Sequence, residues 1–147
     1  MTPRRVFQNR KGFNIMHEMG IAQQLVKIAL DAIPKDLKNP RVEIIHLKIG
    51  KLASVVEHSL TFCFEIITKG TPLENARFEI DSVPVRVHCR SCDQSWEVTG
   101  PVFQCRFCKD GDVEMISGRE IEIISLELEE TPCVDQPQID NHQIDNQ

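Results

Sequence analysis

The chain has 147 residues, 41% of them hydrophobic and 27% charged, with a formal net charge of −5. That suits one globular, soluble domain, or one domain with a small satellite. No apolar run approaches the roughly 18 residues that a membrane span needs. Charge is unevenly placed. Residues 1–15 carry Arg4, Arg5, Arg10 and Lys11 and no acid, whereas residues 131–147 carry Asp135, Asp140 and Asp145 and no base. The body between them is acidic, which argues against nucleic acid as a partner, since phosphates demand a basic face. The opening lacks the continuous apolar stretch of a signal peptide, so a cytoplasmic location is expected.

From Glu18 to about Ile33, apolar residues fall at 21, 25, 28, 29, 32 and 33. That spacing predicts an amphipathic helix with one buried stripe. Pro34 closes it or sits in its last turn, and 35–40 read as a turn. Residues 41–49 predict a strand. Val42 and Ile44 alternate, then Leu47 and Ile49, with Ile45 and His46 breaking the phase, as at a bulge or in a strand buried on both faces. Gly50 ends it. A second helix is predicted from about Val56 to Lys69, with Leu60, Phe64 and Ile67 on one stripe, Gly70 as its C-terminal cap and Pro72 beyond.

Residues 77–87 alternate again, with Pro84 marking an edge or a bend. Residues 119–129, REIEIISLELE, form the clearest strand, carrying Ile121, Ile123 and then Leu126, Leu128. The tail repeats QIDNH and QIDNQ in polar low-complexity sequence and is expected to be disordered. Helix, strand, helix, strand, cysteine segment and strand together imply a small α/β layer with a stapled insertion before its last strand.

Six cysteines stand at 63, 89, 92, 105, 108 and 133. Cys89-x2-Cys92-x12-Cys105-x2-Cys108 has the spacing of two knuckles that close four thiolates around one tetrahedral Zn²⁺. The segment holds too few apolar residues (Trp96, Val98, Val102, Phe103, Phe107) to fold without such a staple. Soft thiolate ligands favour zinc over hard cations. Four of them leave no open position, which makes the metal structural rather than catalytic. His88 adjoins Cys89 and reads as a strand residue, or as an alternative or outer-shell ligand. Cys63 reads as a buried inert thiol. His46 and His58 read as packing or surface residues. No Gly-rich phosphate loop, nucleophile elbow or acid/base pair emerges.

Met16-His17-Glu18 opens the first helix as HEMGIAQQLVKIAL. LKIGKLASVVEHSLTFCFEIITKGTPLENARFEI, the two knuckles and SGREIEIISLELE follow. In this order, from Met16 to about Glu130, the chain closely resembles the HypA/HybF family of nickel-insertion accessory proteins for nickel-iron hydrogenases. The resemblance implies an α+β fold: a nickel-binding domain of two helices on a small sheet, with an inserted four-cysteine zinc ribbon. It implies nickel held weakly at the N-terminus by Met16 (α-amine), His17 (imidazole) and Glu18 (backbone nitrogen), and zinc held by Cys89, Cys92, Cys105 and Cys108. Glu57 matches a carboxylate linked to nickel in some relatives.

The implied role is a metallochaperone and not an enzyme. It delivers Ni²⁺ to a hydrogenase large-subunit precursor with a nickel-binding GTPase partner, with urease maturation proteins as further partners. The implied state is a monomer or homodimer, with no nucleic acid and no membrane. The alternative is a zinc-ribbon nucleic-acid or protein-interaction module. Against nucleic acid, the ribbon balances Arg86, Arg90, Arg106, Lys109 and Arg119 with Asp93, Glu97, Asp110, Asp112 and Glu114.

The expected division is an extension at 1–15, non-native or disordered; a nickel-binding domain at 16–85 and 118–130; a zinc ribbon at 86–117; and a disordered tail at 131–147. The opening has no periodicity and no apolar face, so Met16 is expected to be the physiological start. Otherwise it has no free amine.

Overall fold

The computed structural model describes residues 18–130. The expected extension, Met16, His17 and the QIDN tail lie outside the described residues.

Helix α1 spans Glu18–Ala32 and buries Ile21, Ala22, Leu25 and Ala29, the stripe its spacing predicts. Strand β1 (Pro40–Gly50) follows, then α2 (Glu57–Ile67) and β2 (Arg77–Val83). The α2 crossover returns the chain so that β2 lies parallel to β1. The last strand, β6 (Ile121–Glu130), pairs antiparallel with the other side of β1, giving the order β2-β1-β6. Helix α2 stops at Ile67, two residues before its expected end. Thr68 closes it: its N–H and its hydroxyl both donate to the Phe64 carbonyl, at 3.1 and 2.8 Å. Gly70 then takes φ 75°, the left-handed turn that helix ends favour.

The broken phase of β1 is a bulge. Val42 faces Leu128 and Ile44 faces Glu127, leaving Glu43 without an opposite residue. A matching irregularity lies on β6, where Ile124 falls between the partners of His46 and Leu47. Each extra residue flips the side-chain alternation. Val42, Ile45, Leu47 and Ile49 of β1 thereby join Ile121, Ile123, Leu126 and Leu128 of β6 in one core under the helices. Phe64 and Phe78 stack obliquely within it, their ring centroids 4.5 Å apart.

On the other face, His46 bridges all three strands. Its Nδ1 lies 3.3 Å from Glu79 and its Nε2 2.9 Å from Glu127. It serves as a cross-strand link, in keeping with the packing role expected of it. Cys63 packs half-buried against the core, and His58 is exposed on α2.

Pro84 divides the expected 77–87 strand between two sheets. After it, β3 (Arg86–Cys89) forms the centre of a second sheet between β4 (Gln94–Glu97) and β5 (Val113–Ser117). The chain leaves the first sheet at Val83 and re-enters it at Ile121. The second sheet is therefore an insertion before the last strand.

Candidate metal centre

Both Cys-x-x-Cys pairs are built alike. The first lies in the β3–β4 turn, where Asp93 N–H donates to the Cys89 carbonyl at 2.9 Å. The second precedes β5, where Lys109 N–H donates to the Cys105 carbonyl at 3.1 Å. Asp93 and Lys109 both take positive φ, 59° and 62°, so each knuckle ends in a left-handed residue that turns the chain around its sulfurs. Ser91 Oγ donates to Asp110 Oδ2 at 2.7 Å and ties one knuckle to the other. Arg90, paired with Glu114, anchors the first knuckle to β5. Sequence spacing carries no signal for these cross-links, because their partners are set by the fold.

The four sulfurs converge. Cys89 and Cys108 lie 3.7 Å apart, Cys92 and Cys105 3.6 Å, and all four fall within 4.8 Å of one another. A tetrahedron with metal–sulfur bonds of about 2.3 Å has sulfur–sulfur edges of about 3.8 Å. The cluster therefore has the dimensions of a closed four-thiolate site. Cys89 and Cys105 are buried, and Trp96 covers them with Phe107 edge-on at 5.5 Å. His88 is not in the cluster. Its ring nitrogens meet Ser95 Oγ and Asp93 Oδ1, at 3.0 and 3.4 Å, so it steadies the end of the first knuckle.

The thiols are not equivalent. Burial pushes the Cys105 thiol up, but the N–H groups of Cys108 and Phe107, with the neighbouring thiols, more than compensate and bring it down to about 6. Burial and contacts with Cys105 and Cys89 push Cys92 up to about 12. For Cys108 the Asp110 N–H acts downward, but burial and the thiols of Cys89 and Cys105 leave it raised. At neutral pH the metal-free cluster thus presents a Cys105 thiolate, and metal binding must expel the protons of Cys92 and Cys108. Affinity should rise with pH. Below about pH 6, where Cys105 is also protonated, the dependence of log affinity on pH should steepen by about one proton. A competition titration against a chromophoric chelator between pH 5 and pH 8 reads this slope; an unchanged slope across pH 6 contradicts it.

The other singled-out carboxylates lie far from the sulfurs in sequence and close to each other. Glu18 is the first residue of α1, and its Oε1 accepts the Val56 N–H at 3.3 Å. Val56 is the N-cap of α2 and has no side-chain cap of its own, so Glu18 caps α2 from another helix. Glu57, the next residue, opens α2 with an exposed side chain. The start of α1 therefore abuts the start of α2. Segments this far apart along the chain carry no local pattern that signals the contact.

Comparison with known proteins agrees with this geometry. Residues 16–128 match the family model described as hydrogenase/urease nickel incorporation, metallochaperone, HypA. The hydrogenase maturation factor HypA of Desulfosudis oleivorans is 50% identical over 115 residues, covering 78% of this chain and 100% of the relative. That of Desulfatibacillum aliphaticivorans is 43% identical over 113 residues, covering 77% and 87%. The solution structure of the Ni metallochaperone HypA from Helicobacter pylori superposes with a TM-score of 0.58 at 20% identity, over 77% of this chain and 97% of that one, and shows the shared fold. The chain belongs to the HypA family of hydrogenase/urease nickel-incorporation metallochaperones.

Proposed function

We propose that the protein carries Ni²⁺ at Met16, His17 and Glu18 and delivers it during maturation of a nickel-iron hydrogenase. In this reading it works with a nickel-binding GTPase, holds a structural Zn²⁺ at Cys89, Cys92, Cys105 and Cys108, and is not an enzyme. The observation that supports it is the anchoring of Glu18 to the N-cap of α2, within a family match that begins at Met16. A grip of amine, amide and imidazole nitrogens suits the planar preference of Ni²⁺. Such a grip needs a rigid base if the metal is to be presented in one place, and the Glu18–Val56 contact supplies it. Glu57, beside that contact and exposed, is a candidate accessory carboxylate that would add negative charge.

The division of labour follows. Residues 16–85 with 118–130 form the nickel-bearing layer, and 86–117 form a rigid platform whose closed metal has no open position for catalysis. Nickel binding requires a deprotonated imidazole and α-amine, so affinity falls as the pH drops through their range.

The test compares two forms, one beginning at Met16 and one at Met1. The Met16 form is expected to bind one Ni²⁺ by equilibrium dialysis, and His17→Ala to lower that affinity about tenfold or more with zinc content unchanged. The Met1 form is expected to bind more weakly, for want of the amine. Equal nickel affinity in the His17→Ala chain would refute the site.

A further inference from the structure

The small core of the second sheet is covered at one end only. On one face of β3, Cys89 and Val87 lie opposite Val113 and Met115 of β5, and Val87 lies opposite Trp96 of β4. Residues opposite one another share a face. Toward the knuckles, Cys105 and the Trp96–Phe107 pair close over that face. Toward the main layer it opens into a cleft of about 650 Å³. Val87 and Met115 line the cleft from the strands, Val98 and Val102 from the loop after β4, and Leu52 from the main layer. Leu52 is 45% exposed and Met115 38%, so two large apolar side chains stand uncovered beside a core that lacks material.

Backbone bonds fix the walls to one another. Lys51 N–H donates to the Val83 carbonyl at 3.0 Å and Leu52 N–H to that of Gly118 at 2.7 Å. Val98 N–H donates to the Val85 carbonyl at 2.9 Å. A preformed, mostly apolar cleft of this volume, set where two sheets meet, is the usual form of a small-molecule site.

The lining selects the occupant. Lys51 is the one charged residue among those lining the cleft, and Thr99 is the only other polar side chain there. An extended peptide would bring an N–H and a C=O with every residue. Strand β3, paired on both sides, has no ladder groups to spare for them, and burying them unpaired is costly. An unbranched hydrocarbon chain brings no such groups. One cation in an otherwise apolar cleft suits one anion at the end of such a chain.

We propose that this cleft binds a medium-chain fatty acid, its chain against Val87, Val98, Val102 and Met115 and its carboxylate at Lys51. The bound chain supplies apolar contact that the second sheet lacks and joins that sheet to the main layer through Leu52. The proposal is independent of nickel binding.

Decanoate, titrated into the full zinc-loaded chain below its micelle concentration and followed by methyl NMR, tests it. Saturable shifts are expected at Leu52, Val98, Val102 and Met115. None are expected at Leu25 or Ile45 in the main core, or at Ile66, which is exposed on α2. Gly100 lines the cleft, and a Cβ there meets nothing within 4 Å. Gly100→Leu should therefore keep the fold, fill the cleft and lose saturable binding. Lys51→Glu leaves the backbone bonds in place and should weaken decanoate about fivefold. Decylammonium, bound more weakly than decanoate by the wild type, should bind the more tightly of the two to Lys51→Glu. Melting temperatures of both variants should match the wild type. Absence of saturable shifts in the wild type, shifts spread equally to Ile66, undiminished binding by Gly100→Leu, or decylammonium bound by the wild type as tightly as decanoate would each overturn the proposal. So would tighter binding of an N-acetylated tetrapeptide ending in two leucines, which would make the cleft a site for a polypeptide C-terminus.

Discussion

Removing the metal with a strong chelator, or removing one ligand by Cys105→Ala, is expected to unfold residues 86–117 while the sheet β2-β1-β6 and its helices stay folded. The second sheet has almost no core of its own. Its buried cluster is Val87, Cys89, Trp96 and Cys105, and two of those four belong to the four-cysteine cluster that could hold a metal ion. Burial of Val87 and Trp96 contributes about 1.5–3 kcal/mol each, whereas ordering the backbone costs about 1–2 kcal/mol for every residue. A structural zinc contributes on the order of 10 kcal/mol or more at neutral pH, and no other interaction in the segment approaches that.

The main core, by contrast, contains no residue between 86 and 117. The two parts should therefore melt separately. Trp96 is the chain's one tryptophan and is 8% exposed, so its fluorescence reports the second sheet alone. Chelation should shift that emission to the red and abolish amide protection in 86–117, with protection retained in α1, β1 and β6. Loss of protection in both parts together would show that the metal stabilises the whole chain.

How much of this was legible in the sequence varies by the range of the interaction. Ile21, Leu25 and Ala29 recur at helical spacing, so α1 could be read residue by residue. The phase breaks of both long strands could also be seen, as Val42-Ile44 against Leu47-Ile49 and Ile123 against Leu126. The position of the bulge at Glu43 could not, because a bulge is defined by the partner strand about 80 residues away. The four cysteines announced their cluster because a metal constrains spacing at short range. What escaped was the set of contacts that join distant segments. These are Glu18 capping α2 through Val56, His46 bridging Glu79 and Glu127, and Ser91 bonding Asp110. None leaves a periodic trace, since each depends on where the sheet order brings two segments together. In the sequence Pro84 signals an edge or a bend. Its actual effect is larger: it is where the chain changes sheets.

Gly50→Ala is expected to destabilise the main layer severely, by more than about 4 kcal/mol, the range reserved for a named structural fault. Gly50 was legible only as the end of β1, yet the structure packs three backbones against one another there. A Cβ at Gly50 would lie 2.1 Å from the Gly118 carbonyl carbon, 2.2 Å from its oxygen and 2.5 Å from the Arg119 nitrogen. All three are backbone atoms and cannot rotate away. The segment is also pinned from both sides. Gly50 N–H donates to the Glu120 carbonyl at 2.7 Å, Lys51 N–H to that of Val83 at 3.0 Å and Leu52 N–H to that of Gly118 at 2.7 Å. Gly118 in turn takes φ 117° and sits against Val85, where its own Cβ would come within 2.9 Å of the backbone.

The two glycines thus form the neck through which the chain leaves for the second sheet and returns. Relieving the clash would move β1 away from the returning strand and break those bonds. It would also disturb the loop that leads to Val56, the residue holding Glu18. Gly100→Ala is the control, because a Cβ there meets nothing within 4 Å. Thermal unfolding by circular dichroism should show a large loss for Gly50→Ala and none of consequence for Gly100→Ala. The four sulfurs lie outside the neck, so the Gly50→Ala chain should still retain one equivalent of metal. Wild-type stability in Gly50→Ala would mean that the neck yields freely and that the two sheets are not held by the approach of these backbones.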